Sequence, residues 1–357
     1  MVPDVSVAAA ESPRRSSLLQ RLPLLTLYLS ERCNSRCVTC DYWRHGHADM
    51  DLGAVQRLLP SLLDLQTEVV LISGGEPLLN PEWADIAELL RARGLKLWLL
   101  TSGLSLAKHA RRVAELFAAV TVSLDGTDRE TYAAIRGLDA FDKVCEGIRA
   151  VAGAGPQVNV RTTLQRANFR QMPAFVDLAR QLGVGQISFL AVDVANSHAF
   201  GRASDFDTQL ALQPEDLPVF EQVLDRLEEE HAAAFRSGLI AESPQKLRRL
   251  LQYFRAIHGL AAHPPVRCNA PEFSAVVDAN GHVRPCFFIP GPDGATLSGG
   301  ALPAVLNGGT MPELRETIRA GARPECATCV CPLWRDFQRG DKLIPSVQPL
   351  VSTAAQV

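Results

Sequence analysis

Residues 24–44 read LLTLYLSERCNSRCVTCDYWR. The apolar run 24–29 has the length and β-forming content of a buried strand. It stops at Ser30, Glu31 and Arg32, and Cys33, Cys37 and Cys40 follow at once. These cysteines then lie on the loop leaving a strand's C-terminal end, where α/β proteins place their chemistry. Gaps of three and two residues let one short loop aim three sulfurs at a common point. Three thiolates can hold three irons of a [4Fe–4S] cluster and leave the fourth iron without a protein ligand from this loop. The competing reading is zinc, which usually takes four ligands in paired spacing; His45 and His47 stand near enough to supply the missing ones.

The rest of the composition narrows the field. A chain of 357 residues, 47% hydrophobic and 21% charged, has ordinary globular make-up and length for a large core. A net charge of −3 gives no electrostatic case for nucleic acid or anionic lipid as a partner. No apolar run approaches the ~20 residues of a membrane span. The opening MVPDVSVAAAESPRRSS has no apolar segment after a basic start, so it does not read as a secretory signal, and a cytoplasmic location is expected. Nine cysteines without an export signal argue for metal rather than disulfides.

Working outward, 52–65 has helical spacing interrupted by Pro60, and 68–73 is a second buried strand. Gly74-Gly75-Glu76-Pro77 follows it. Two glycines at a strand end let backbone approach a ligand, and the carbonyls and Glu76 can accept hydrogen bonds from an ammonium. Alternatively this is a strand-to-helix turn with Glu76 capping the next helix. Helices are expected at 81–93, 106–118, 141–152 and 169–182, and strands at 96–100, 120–124, 158–164 and 186–192. Cys145 falls within a helix and reads as a small packed hydrophobe. Arg161 points into a polar barrel interior or sits at a sheet edge. Six strands alternating with helices predict an α/β fold, a partial (β/α)6 TIM-like barrel.

A second cysteine set lies beyond. Cys268 precedes 273–278, Asn280-Gly281 and 282–286, a β-hairpin pattern that carries Cys286 back toward Cys268. After a helix at 311–320 come Cys326, Cys329 and Cys331. Four soft ligands from two segments suit a second, fully ligated [4Fe–4S] cluster, with tetrahedral zinc as the alternative. This makes a small cysteine-rich α+β domain with a β-hairpin. The expected divisions are a flexible tail at 1–22, the barrel at 23–235, a helical bridge at 236–262, the cysteine domain at 263–340 and a C-terminal tail at 341–357.

CxxxCxxC after the first strand, GGEP after the second, and Ser123-Leu-Asp125-Gly with Tyr132 and Ile135-Arg136-Gly137 together resemble the radical S-adenosylmethionine (SAM) superfamily. The C-terminal segment resembles its twitch and SPASM auxiliary-cluster domains. The resemblance implies that Cys33, Cys37 and Cys40 hold a cluster whose open iron binds SAM, cleaved to a 5′-deoxyadenosyl radical that takes hydrogen from a substrate. It implies SAM contacts at Gly74, Gly75, Glu76, Pro77, Thr101, Ser123, Asp125 and Leu190. Cys268, Cys286, Cys326 and Cys329 are implied as ligands of the auxiliary cluster, with Cys331 as an alternative ligand or a substrate-side thiol. Arg136 is implied as a partner for a carboxylate; Asp125 has a second reading as the N-cap of the helix beginning near Asp128, and Arg136 as a surface ion pair. Cys145 and Cys331 are unassigned thiols and hence hydrogen-donor candidates. Ser102 stands where the family often has Asn, and Thr39 where many members carry an aromatic, with Tyr42 and Trp43 available as apolar cover. An electron donor such as flavodoxin or ferredoxin is implied. The short stretch before strand one tilts the expected substrate toward a small sugar-like or natural-product precursor, with a peptide as the alternative. The rival class is a non-catalytic iron–sulfur redox sensor, which would not need the strand-end motifs.

Overall fold

The computed structural model describes residues 18–202, 208–337 and 343; the greater part of both expected tails lies outside them. Six parallel strands form the body: β1 (Leu24–Ser30), β2 (Val69–Gly74), β3 (Lys96–Thr101), β4 (Ala119–Ser123), β5 (Gln157–Leu164) and β6 (Gln186–Ala191). They pair in sequence order, each with its successor. All residues of β1 are buried, whereas β4, β5 and β6 alternate buried with half-buried. That alternation is expected of strands with one face under helices and the other lining a partly open interior. The architecture is a partial TIM-like barrel. The helix Leu52–Asp64 survives Pro60 because that residue is on its exposed face, where water can satisfy the freed carbonyl.

Three expected boundaries are displaced. Leu19 and Leu22 belong to the core, and the Asn307 side chain bonds both the N–H and the carbonyl of Leu19, at 2.6 and 3.0 Å. The chain is therefore fixed inside the stretch read as a flexible tail at 1–22. The region read as a bridge at 236–262 is part of the barrel's own packing. Its helix Pro244–Ile257 buries Leu247, Leu251 and Phe254 in the main core, and Ile240 bridges in parallel to Ile187 on β6. The Lys and Arg content that suggested a connector occupies only the outer face of an amphipathic helix.

The third displacement concerns the C-terminal hairpin. β7 (Ser274–Val277) pairs parallel to β1, and β8 (Val283–Arg284) pairs antiparallel to β7. One eight-stranded sheet results, in the order β6-β5-β4-β3-β2-β1-β7-β8. The hairpin is thus an extension of the barrel sheet. Its turn has Gly281 at φ +81°, and Asp278 N–H bonds the His282 carbonyl at 3.0 Å, so three residues form the loop. The helix Leu302–Asn307, unmarked in the sequence reading, adds Leu302 and Leu306 to the same core.

This scaffold grips the cysteine loop from three sides by backbone hydrogen bonds. Gly75 N–H donates to Ser30 O at 2.7 Å and Glu76 N–H to Arg32 O at 2.7 Å. Arg36 N–H donates to Arg136 O at 2.9 Å and Val38 N–H to Ile135 O at 3.0 Å. Asp41 N–H donates to Phe200 O at 3.0 Å. Two glycines permit this. Gly74 has φ +131°, and a Cβ there would fall 2.2 Å from Ser30 O; Gly137 has φ +72°, and a Cβ would fall 2.4 Å from Arg36 O. The close approach that the glycines allow is loop against loop.

Gly137→Ala is expected to destabilise by about 1–2 kcal/mol from the left-handed backbone alone, with the contact to Arg36 adding to it. Gly153→Ala, at φ −86° with nothing near its Cβ, is expected to be neutral or slightly stabilising. Urea unfolding of both variants checks the contrast.

Candidate functional site

Cys33, Cys37 and Cys40 emerge half-buried from the C-terminal end of β1. Ser35 N–H lies 3.4 Å from Cys33 Sγ, Ser35 Oγ 3.3 Å from Cys37 Sγ, and Cys40 Sγ 3.3 Å from Phe200 O. Burial pushes the Cys33 thiol up to about 11 and the Cys40 thiol to about 12, and the neighbouring sulfurs push the same way. Arg136 opposes both shifts. Three soft donors with N–H and O–H groups turned to sulfur fit an iron–sulfur cluster. Among the described residues no three His, Cys, Asp or Glu side chains are drawn together as a single metal ion would need. His45 and His47 are exposed. Trp43 Nε1 donates to Cys37 O at 3.3 Å, which sets its ring against the loop.

Glu76 is turned inward. It is fully buried and accepts from Leu78 N at 3.2 Å, Ser102 N at 2.7 Å and Ser102 Oγ at 2.6 Å, with Thr101 Oγ1 at 2.9 Å from both its oxygens. The capping reading describes this carboxylate, and an ammonium contact at this loop falls to backbone. Thr101 is used up in the same knot, since its hydroxyl also accepts Gly103 N–H at 3.0 Å. Ser102, where Asn was expected, donates to Glu76 and reaches Asn34 Oδ1 at 3.3 Å, so it links β3 to the cysteine loop.

Asp125 and Arg136 answer one another. Arg136 Nη1 lies 3.0 Å from Asp125 Oδ2, with both side chains at most 10% exposed. The surface ion-pair reading of Arg136 is therefore replaced by a buried pair. Asp125 Oδ1 takes Thr163 N–H at 2.7 Å, leaving this carboxylate no open face for a ligand. Burial raises its pKa, and Arg136 with the Thr163 N–H opposes the rise. The cap of the next helix is Asp128, which accepts Thr131 N–H at 2.8 Å.

Ser123, Arg161 and Ser188 stand side by side on β4, β5 and β6, in register and all on half-buried positions. Arg161 is on an inner strand, so the edge alternative is excluded. Its Nε is buried without a partner, and its charge acts on Cys331. Leu190, opposite Thr163, shares the half-buried side of β6. Glu242, which the sequence reading passed over, is buried and accepts Ser188 Oγ at 2.8 Å and Phe189 N–H at 3.0 Å. Cys145 lies in the apolar core, apart from both cysteine groups, which removes it as a substrate-facing hydrogen donor.

At the other end, Cys268, Cys286, Cys326 and Cys329 lie within one another's electrostatic reach. Burial pushes Cys286 to about 12 and Cys326 to about 11, and neighbouring sulfurs raise both further. Leu333 N–H approaches Cys268 Sγ at 3.5 Å and Cys331 N–H approaches Cys329 Sγ at 3.4 Å. Cys331 lies in the same group, where it is the leading sulfur neighbour of Cys329; burial raises it, Cys268 adds to the rise, and Arg161 and Lys246 from the barrel oppose it. A cleft of about 390 Å³ beside Cys268 and Cys326 is walled by Trp334, over whose ring the Arg267 guanidinium sits at 3.7 Å. A larger cavity of about 620 Å³ lies between Tyr42, Arg202, His282 and Arg284 and touches none of the cysteines.

Glu76→Gln is expected to cost on the order of 2–3 kcal/mol in urea unfolding, because its new amide opposes donors that now meet a carboxylate. An unchanged stability would mean the carboxylate is free for a ligand. Cys145→Ala is expected to cost about 1 kcal/mol and to leave bound iron unchanged.

Residues 27–179 match the radical SAM superfamily. The Fe-coproporphyrin III synthase of Methanosarcina barkeri is 28% identical over 63% of this chain and 57% of its own length. A GTP 3′,8-cyclase of Klebsiella pneumoniae is 31% identical over 43% of this chain and 50% of its own. The matched stretch thus spans little more than half of these relatives. Among solved structures, Streptococcus suis SuiB bound to its precursor peptide SuiA superposes with a TM-score of 0.62 at 15% identity, covering 85% of this chain and 68% of that one. The anSMEcpe enzyme with AdoMet and a peptide gives 0.62 at 18%, covering 83% and 84%. These are likenesses of fold. No helix among the described residues is long and apolar enough to cross a membrane. The match to the radical SAM superfamily thus covers residues 27–179, the part of the chain that holds the first cysteine loop and runs from within β1 through β5.

Proposed function

We propose that the protein is a radical SAM enzyme acting through Cys33, Cys37 and Cys40. The observation that carries this reading is the placement of three thiols on one loop at the C-terminal end of β1, hydrogen-bonded to the GGEP loop of β2. Cys33, Cys37 and Cys40 would hold a [4Fe–4S] cluster with one open iron, which would supply the electron for reductive cleavage of SAM and so for hydrogen abstraction from a substrate. The chain's own part is positioning. Glu76 holds the GGEP backbone in place through Thr101 and Ser102, and Asp125 with Arg136 holds the helix end on which the cysteine loop rests. Gly74, Gly75 and Pro77 present backbone toward SAM, and Ser123 and Leu190 line its ribose and adenine side. Trp43 covers the loop through its bond to the Cys37 carbonyl, and the Phe200 carbonyl holds Asp41 N–H.

Cys268, Cys286, Cys326 and Cys329 are the proposed ligands of an auxiliary [4Fe–4S] cluster that assists oxidation or electron transfer. Cys331 is left as the thiol on the barrel side, because its opposing charges come from Arg161 and Lys246. The substrate is proposed to be a small molecule. The names of two sequence relatives refer to a porphyrin and a nucleotide. The peptide alternative is favoured by the two structural relatives, which were solved with peptides bound. A flavodoxin or ferredoxin in the cytoplasm is the proposed source of electrons.

Anaerobic reconstitution with iron and sulfide counting tests this. About eight irons are expected in the wild type and about four in the Cys33/Cys37/Cys40→Ala variant. With dithionite, the wild type is expected to release 5′-deoxyadenosine from SAM and the variant none. About four irons in the wild type, all lost in the variant, would remove the auxiliary cluster; no iron at the first loop would remove the radical SAM reading itself.

A further inference from the structure

A buried positive charge stands behind the first cysteine group. Arg136 ends the helix Arg129–Arg136 and is 8% exposed. Its carbonyl accepts Arg36 N–H at 2.9 Å and Ser35 Oγ at 3.2 Å, and the same Ser35 hydroxyl lies 3.3 Å from Cys37 Sγ. Its main chain is thereby tied to the residues preceding Cys37. Its guanidinium spends Nη1 on Asp125, while Nε is buried without a partner. A buried donor left unmade costs about 1–3 kcal/mol. Asp125 has already committed its second oxygen to Thr163 N–H. The other groups around the guanidinium are the thiols of Cys37 and Cys33 and the buried Tyr132 hydroxyl, which like Nε has no other partner. Burial works against the Arg136 charge, and Cys37 and Asp125 lead the interactions that overcome it.

Resting on the proposed cluster at Cys33, Cys37 and Cys40, we infer that the buried charge of Arg136, fixed behind the loop, raises the reduction potential of that cluster. Reduction adds one negative charge to the cluster. A fixed guanidinium in a low-dielectric setting favours the reduced form. Asp125 does two opposite things. It orients the guanidinium, and its own negative charge offsets part of the field. Arg136 is thus a positioning and tuning residue that need not touch SAM, since the pair with Asp125 and its burial keep it behind the loop.

The test is an EPR-monitored redox titration of the anaerobically reconstituted full chain without SAM, the first cluster's signal being the one absent from the Cys33/Cys37/Cys40→Ala variant. Arg136→Gln is expected to titrate at a more negative potential than the wild type, Arg136→Lys between the two, and Asp125→Asn at a more positive potential. Opposite displacements from the two sides of one ion pair are a signature that a purely structural role does not give. If Arg136→Gln does not retain iron at the first loop, Arg136→Lys and Asp125→Asn carry the comparison. Variants that retain that iron and titrate with the wild type would overturn the inference. A wild type without iron at Cys33, Cys37 and Cys40 would overturn the cluster reading beneath it, and iron counting tells the two failures apart.

Discussion

The structure depends on main-chain hydrogen bonds that fasten one loop to its neighbours. Between Ser30 and Asp41 the chain leaves the sheet, and its backbone is met by the loop after β2, by the end of the helix Arg129–Arg136 and by Phe200. A cluster-binding loop must hold its sulfurs at fixed places, yet a loop has no ladder of its own to provide rigidity. Here the rigidity is borrowed from three elements that are each anchored in the barrel. Gly74 and Gly137 are required because a side chain at either would push the loops apart.

The polar residues of the strand-end motifs serve this same fastening. Glu76 binds Thr101 and Ser102, so that β2 and β3 end in register with one another. Asp125 binds Arg136 and Thr163, so that β4, β5 and the following helix end together. Each is a buried charge that would be costly alone and is tolerated because its partners are complete. The shape of these strand ends is therefore set by carboxylates enclosed among protein donors.

Much of this was legible in the sequence. The strand and helix rhythm, the six parallel strands and the two cysteine groups follow from hydrophobic period and from glycine and cysteine spacing. What escaped was long-range partnership. Nothing local tells that Ser274 will pair with Leu24, or that Leu19 will be held by Asn307. The charge-rich face of Pro244–Ile257 suggested a connector, although its other face completes the core. Glu76, Thr101 and Asp125 were expected to face a ligand, and the sequence does not tell that their side chains bond one another and the neighbouring strand ends. A carboxylate at a strand end can face a ligand or a neighbouring strand, and only the placement of its donors decides.

The parallel pairing of β7 with β1 has a consequence for how the protein is made. β1 is synthesised long before β7, so one side of β1 lacks its final neighbour until β7 has been made. A strand meant for full burial, with an open edge, is a site for wrong pairing between chains, and non-local closure of this kind is slow. The loop bearing Cys33, Cys37 and Cys40 hangs from that same unfinished strand. The final placing of that loop and closure of the sheet are therefore linked in time, and production of the protein will respond to the pace of synthesis.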